Sequence, residues 1–519
     1  MNKEKQSRNG MVVAPHWLAS KAGADVLRRG GNAIEAVIAA GAALSVVYPH
    51  FCGLGGDAVW MTADPSGNVS CLLGIGQAAA SASIDNAKIT LRGPSSTWTT
   101  ACLVDSWQKL LDLSSSQWKG QERLHQLLEP AIHLAQEGYD VSPSQRFWSE
   151  FRKNESSAWP GFEAIFGESG IQRQPQLADT LRSIADEGAR GFYEGALARR
   201  VAQGLKHASS PLSASDLAAT QARFVEPLGH DYRDMRLFAP PPPTQGVTTL
   251  GIMGVLAHLD MAGQDPHSAQ YYHYLVEAVK KAFLDRYLIG DPSACDSWLI
   301  STLLDEERLS SKAEAIDPAK AMEWPHLHRA GDTAFLAAVD AQGRCVCGLQ
   351  SLYFDWGSGV VVGDTGVLWQ NRGAAFSLDP ESPNRIAPGK LPFYTLNPGL
   401  GLRNGRPHLL YGTQGADGQP QTLALLLSLL IDHQFDLSAA LAHPRFLLGK
   451  TFSDSRDSLK IEANAGTDVF SGLAALGHSV SSIDAFSPLG GQAGVIRIDD
   501  DGLIHGSHDP RSDGGAEAP

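Results

Sequence analysis

The apolar periodicity of this chain changes near residue 332, and that change limits the architectures open to it. Upstream, apolar residues recur every three or four positions. Leu18, Ala22, Val26 and Leu27 make one helical stripe, Gly30-Gly31-Asn32 punctuates, and Ile34, Val37, Ile38 and Ala42 make the next, so residues 16 to 48 predict two short helices. Residues 122 to 207 read as mostly helical, with the run 127–138 ending on a glycine cap at Gly138. Tyr271 to Tyr287 reads as a helix with Leu275, Val279 and Phe283 spaced by four. Asp57 to Leu73 alternates as a hairpin turning at Pro65-Ser66-Gly67, and Pro240 to Gly246 is a stiff loop. Downstream, short strands take over at 333–339 and 345–352, joined by the turn Ala341–Gly343. Strands at 360–362 and 495–498 and helices at 419–433 and 436–442 follow. Helices first and strands next, without regular βαβ alternation, favours an α+β layered fold over a doubly wound one. Ser293 to Ala330 reads as irregular and polar, as a segment exposed for cutting would be.

A net charge of −14 argues against nucleic acid or an anionic membrane as partner, since either calls for a basic face. The polar start, Met1 to Gly10, is not followed by an apolar signal core, and no run of about 18 apolar residues is available to span a bilayer. Cysteines at 52, 71, 102, 295, 345 and 347 form no CxxC pair and read as small buried hydrophobes. A cytoplasmic protein is the simplest expectation. The histidines show neither HExxH nor paired ligand spacing, so no metal and no cofactor is expected. Gly53-Leu54-Gly55-Gly56 lacks the Lys-Ser/Thr of a phosphate loop and reads as a tight turn, and no Gly-x-Ser-x-Gly elbow is present.

The pair Asp332-Thr333 carries the chemistry. A strand threonine has no strong base of its own. If the bond before Thr333 is cut, the new α-amino group, with an ordinary pKa of about 8, sits on the same residue as the hydroxyl it activates. On that reading the chain is a precursor that makes its own nucleophile.

Motifs along nearly the whole chain resemble the gamma-glutamyltransferase superfamily of N-terminal-nucleophile (Ntn) hydrolases. They include Met11–Ala14 with Leu18–Ser20, Gly30–Ala33, Pro49-His50 with Gly53–Gly56, Leu128–Ala131 with Glu137-Gly138, His273 with Glu277, and Asp285-Arg286. Gly331–Thr333, Gly357–Val362, Ala439-Ala440 with Pro444–Phe446, and Asp509–Asp513 complete the set. The resemblance implies a four-layer αββα sandwich formed by both halves of a self-processed precursor. Residues 1–332 would form the large subunit and 333–519 the small one, as one interwoven folding unit: an alpha/beta heterodimer, or a dimer of these. By position in the motifs, Ser351 matches a hydroxyl that orients the nucleophile's amine. Gly415 with Ala416 takes the place of a glycine pair whose backbone N–H groups form an oxyanion hole. An alanine there demands an ordinary backbone conformation at residue 416.

Departures from the pattern bear on the substrate. Gamma-glutamyl enzymes hold the substrate's α-carboxylate with an arginine where this chain has Ile75. They hold its α-amino group with Asn and acidic residues where it has Tyr353 and Ala375. A glutamyl zwitterion would lose both clamps, at a cost of several kcal/mol. Arg372, just after the Gly-Ser-Gly loop, can instead face a carboxylate close to the scissile bond, or it can pair with Asp355 or Asp364. Tyr394-Thr395 aligns with a Ser-Ser pair lining family pockets, or the tyrosine is core. Asp417 is a turn residue or a support for Thr333. The expected substrate is a small anionic amide, and the chain looks most like the branch containing the oxamate amidohydrolase of purine breakdown. The rivals are a gamma-glutamyl hydrolase or transferase, an acylase, and an unprocessed, inactive binding scaffold. Ala334, where many relatives have a second threonine, keeps the scaffold open.

Overall fold

The computed structural model describes residues 4–166, 170–324, 332–450 and 455–519. Gly331, the last residues of the segment read as irregular and the side chain of Asp332 lie outside the described residues.

Two seven-stranded antiparallel sheets form the centre. In the first, strands Asp332–Asp340 and Cys345–Tyr353 pair side by side. Strands Gly10–Ala14 and Gly515–Glu517 flank them on one side, and Asp57–Ala63, Val69–Gly74 and Arg223–Val225 on the other. The second sheet runs Lys5–Ser7, Ile504–His508, Ala493–Ile498, Arg406–Thr413, Gly399–Arg403, Met235–Ala239, Leu228–Tyr232.

Period-two alternation explains the layering. Phe335, Ala337 and Val339 point between the sheets, against Leu400, Leu410 and Ile496 of the second. Their neighbours Ala334, Leu336 and Ala338 point the other way, into a core with Ile34, Val37 and Ile38 of helix Ala33–Val47. The outer face of the second sheet, through Leu237, Leu409 and Val495, packs on helices Gly246–Ala257, Ala269–Phe283 and Gly418–Ile431. The result is helix, sheet, sheet, helix, an α+β αββα sandwich.

Both halves of the chain weave each sheet. Four of seven strands in the first sheet and three of seven in the second precede residue 332. The order of helices first and strands later therefore does not hold. The missed strands of the first half are three to five residues long, too short for alternation to register.

The helix pair at 17–28 and 33–47, the 57–74 hairpin and the helix capped by Gly138 stand where the sequence places them. Three other elements differ. The helix expected to reach Tyr287 stops at Phe283 and tightens into a 3-10 turn at Arg286–Leu288, whose first residue is buried against Asp417. The stretch after Ser293 is not irregular throughout: Asp296 and Asp305 accept backbone N–H bonds at the starts of helices Ser297–Leu303 and Glu306–Glu314. Residues 360–362 form only a single bridge, Val361 to Leu368, because left-handed Gly357, Gly359, Gly363 and Gly366 interrupt extended pairing. All six cysteines are free and buried. Among the described residues no helix is long and apolar enough to cross a membrane.

Candidate active site

Thr333 is fully buried near the start of its strand, at a break in register. Asp332 pairs with Tyr353 but Ala334 pairs with Gln350, so strand Cys345–Tyr353 carries one extra residue opposite Thr333. This is a β-bulge, a device that re-aims side chains. Tyr353 closes it in the left-handed region, at φ 82°. A buried, non-glycine residue there stores about 1–3 kcal/mol of strain. Ser351, within the bulged stretch, accepts the Tyr353 N–H on its Oγ at 2.8 Å and pairs with Asp57 on the neighbouring strand. Gly55 and Gly56 permit the close approach this needs. A Cβ on Gly56 would sit 2.3 Å from the Ser351 carbonyl oxygen, and one on Gly55 equally close to that of Leu368. The tight-turn reading of 53–56 fits, with the Gly56 N–H bonded to the Gly53 carbonyl.

The second layer reaches Thr333 through Gln419, whose Nε2 donates to the Thr333 Oγ at 2.8 Å. Gln419 lies in the first turn of helix Gly418–Ile431, directly after the Gly415-Ala416 corner. Among the described residues neither the Gly415 nor the Ala416 N–H donates a hydrogen bond. The expectation of an ordinary backbone at residue 416 is wrong: Ala416 has φ 46° and Gly415 φ 124°. The corner must reverse direction between strand Arg406–Thr413 and the helix, which forces the left-handed turn. Ala416→Gly is expected to relieve this strain and stabilise the protein by about 1 kcal/mol, read as a small rise in the thermal midpoint.

Gln245 and Arg286 hold the corner. Gln245 Nε2 donates to the carbonyls of Thr395 (2.7 Å) and Ala416 (2.8 Å). Arg286 bonds both the Gln245 Oε1 (3.0 Å) and the Asp417 Oδ1 (2.7 Å). Asp417 thus pairs with the buried arginine at the helix start, and Gln419 supplies a side-chain hydrogen bond to Thr333.

Arg372 is wholly buried, and none of its three guanidinium nitrogens has a hydrogen-bond partner among the described residues. Its Cζ lies 4.0 Å from the Tyr353 ring centroid and 4.3 Å from that of Tyr394. The two acidic residues offered as partners are engaged elsewhere: Asp355 with Arg92 and Arg152, Asp364 with Arg200. Burial lowers the Arg372 pKa, while Tyr394, Tyr353 and Asp57 raise it. A buried cation without hydrogen-bond partners costs free energy that the ring faces and the Asp57 charge offset only in part. Nearby, Thr395 Oγ1 is buried and without a partner among the described residues. Ala375 and Phe354 pack with Tyr353, and Ile75 packs in the inter-sheet core. The two places where polar clamps would sit are therefore apolar.

Asp57 completes the cluster. Its Oδ1 accepts the N–H groups of Gly76 (3.0 Å) and Cys102 (2.9 Å), and its Oδ2 accepts the Tyr394 hydroxyl (2.6 Å). Burial pushes its pKa up to about 6, against the opposing pull of these donors and of Arg372. A folded-state value above the ordinary 3.8 means that the stability it contributes is fully present below pH 4 and lost as pH rises through about 6. Asp57→Asn should remove that dependence. Its stability relative to wild type is expected to rise by about 3 kcal/mol between pH 4 and 7, measured by denaturant unfolding at each pH.

Among the described residues one set of side chains could hold a metal ion, His273, Glu277 and His478, all buried. Distance in sequence hides His478 from a spacing search. Its donors are already spent: His273 bonds His478 (2.8 Å) and the Asp317 carbonyl (2.9 Å), and Glu277 accepts from Lys280 (2.8 Å) and the Met322 N–H (3.0 Å).

Pairwise contacts link the sequence-selected positions: Gln419 bonds Thr333 beside the Gly415-Ala416 corner, Gln245 joins Ala416 to Thr395, Arg372 lies between the rings of Tyr353 and Tyr394, and Ser351 accepts from Tyr353. Sequence reasoning missed Asp57, Gln245 and Gln419. The first follows the Gly53–Gly56 turn and the last opens a helix two residues after Asp417, which were the available signals.

The family model described as gamma-glutamyltranspeptidase matches residues 19–518. The oxamate amidohydrolase proenzyme of Klebsiella pneumoniae subsp. pneumoniae is 40% identical over 528 residues, covering 99% of each chain. The glutathione hydrolase-like YwrD proenzyme of Bacillus subtilis is 38% identical, again over 99% of each. Among solved structures, cephalosporin acylase from Bacillus halodurans superposes with a TM-score of 0.90 at 29% identity, over 100% of this chain and 97% of that one.

Proposed function

This chain belongs to the gamma-glutamyltranspeptidase family of Ntn-type hydrolases, and on that premise we propose that it is a self-processing amidohydrolase whose nucleophile is Thr333 and whose substrate is a short amide bearing a carboxylate, oxamate foremost. The observation that carries the substrate class is the buried guanidinium of Arg372, unmatched and packed against Tyr353 and Tyr394. Its fork suits a planar carboxylate bound in two places. The 40% identical oxamate amidohydrolase proenzyme supports both the processing and the substrate.

In the intact chain the Thr333 Oγ attacks the carbonyl carbon of the peptide bond before it. The chain shifts from nitrogen to oxygen, water hydrolyses the ester, and the α-amine is released. The amine then takes the hydroxyl proton as Oγ attacks the substrate amide, and returns it to the departing ammonia. Water releases the acid from the acyl-enzyme. The N–H groups of Gly415 and Ala416 face the developing oxyanion, Ser351 orients the amine, and Arg372 with Thr395 holds the substrate's carboxylate end, the Tyr353 and Tyr394 rings backing the guanidinium. No cofactor or metal is required by these steps. The partners are the anionic amide and the chain's own second fragment.

The 38% identical glutathione hydrolase-like relative favours one other reading, a gamma-glutamyl hydrolase. After processing, ammonia release from oxamate is expected to exceed p-nitroaniline release from a γ-glutamyl anilide. The opposite ranking would establish the second reading, and no release from either would leave the binding scaffold.

A further inference from the structure

We propose that Tyr394 is a positioning residue that keeps Asp57 away from Arg372, so that the guanidinium stays available for the ligand's carboxylate. The inference rests on the reading of Arg372 as an anion site and extends it to how that site is kept open.

A buried arginine with a carboxylate nearby would ordinarily close an ion pair. Asp57 is the carboxylate whose charge reaches Arg372, yet it forms no hydrogen bond to it. Its oxygens are occupied by neutral donors: two backbone N–H groups on Oδ1 and the Tyr394 hydroxyl on Oδ2. The same tyrosine lays its ring against the guanidinium at 4.3 Å. One side chain therefore satisfies the anion with its hydroxyl and covers the cation with its ring. Backbone bonds on both sides fix it, with the Tyr394 N–H on the Pro243 carbonyl and its own carbonyl accepting from Gln245. Without the hydroxyl, Asp57 loses the donor on Oδ2 and is left with the Gln370 side chain and the Arg372 charge, of which the cation draws a carboxylate more strongly.

Two measurements test this, one with substrate and one without. With processed protein and oxamate, Tyr394→Phe should raise KM by about 10- to 100-fold with kcat within about threefold, because Asp57 now competes for the cation. Adding Asp57→Asn to that variant should return KM most of the way, since no carboxylate remains to compete. An unchanged KM in Tyr394→Phe, or a raised KM that Asp57→Asn does not relieve, overturns the proposal. In ligand-free protein at pH 7, Asp57→Asn should raise the thermal midpoint in the wild-type background, where it removes a buried charge. It should lower the midpoint in the Tyr394→Phe background, where it breaks a new ion pair. The same sign in both backgrounds overturns the proposal. Should wild-type protein not turn over oxamate at all, the substrate assignment falls and the second measurement still decides the role of Tyr394.

Discussion

Thr333→Ala is expected to leave the 55.4 kDa chain as a single band on a denaturing gel and to abolish turnover. The wild-type chain should give two fragments instead, residues 1–332 and 333–519, the second with a new terminus reading Thr-Ala-Phe. Two losses combine in the alanine variant: there is no hydroxyl to attack the preceding carbonyl, and none to attack a substrate. Loss of a nucleophile costs at least about 10⁴-fold in kcat in other hydrolases, and here the uncut chain also lacks the base. Thr333→Ser separates these effects from packing. It keeps the hydroxyl and the Gln419 contact while losing one methyl in a fully buried place, so it should still process, at reduced stability of about 1 kcal/mol. Processing and turnover that survive Thr333→Ala would end the proposed mechanism.

The second large effect is expected at Arg372, with opposite signs for stability and activity. Arg372→Met removes a charge that has no hydrogen bond in the ligand-free protein and replaces it with an apolar chain of similar length. The variant should unfold about 1–3 kcal/mol later than wild type, by denaturant titration without ligand. Its kcat/KM for a small anionic amide should fall about 10²- to 10³-fold, because the substrate carboxylate then meets no cation. Oxamate should raise the melting temperature of the wild type and leave that of the variant unmoved. A variant both less stable and still active would identify Arg372 as structural.

The helices of the first 50 residues and the placement of Thr333 at a strand start were legible because each rests on local pattern, whereas the αββα layering was legible only through the ordered motifs, since the helices-first order failed. Periodicity, a glycine cap or an ordered motif needs only neighbouring residues. Arg372 was legible as a cation near the glycine loop, but its burial and its contacts with Tyr353 and Tyr394 depend on three segments meeting, which no window contains. Asp57 escaped notice for the same reason. Its bond to Tyr394 spans 337 positions, and before folding it is one strand residue among many. Ala416 misled through propensity: alanine disfavours positive φ, and the corner imposes it regardless. The strands hidden in the first half show the limit of period counting, since strands three to five residues long give too few alternations to register.

The shared weaving of both sheets has a consequence for heredity as well as for assembly. Neither stretch of the chain owns a complete sheet, so a gene divided at codon 333 would encode two polypeptides that each lack the neighbours their strands require. Such a locus gains nothing from separate expression of its parts. On the proposed processing, one continuous message, folded first and cut afterwards, would be the route that delivers a threonine with a free amine into the middle of a finished sheet.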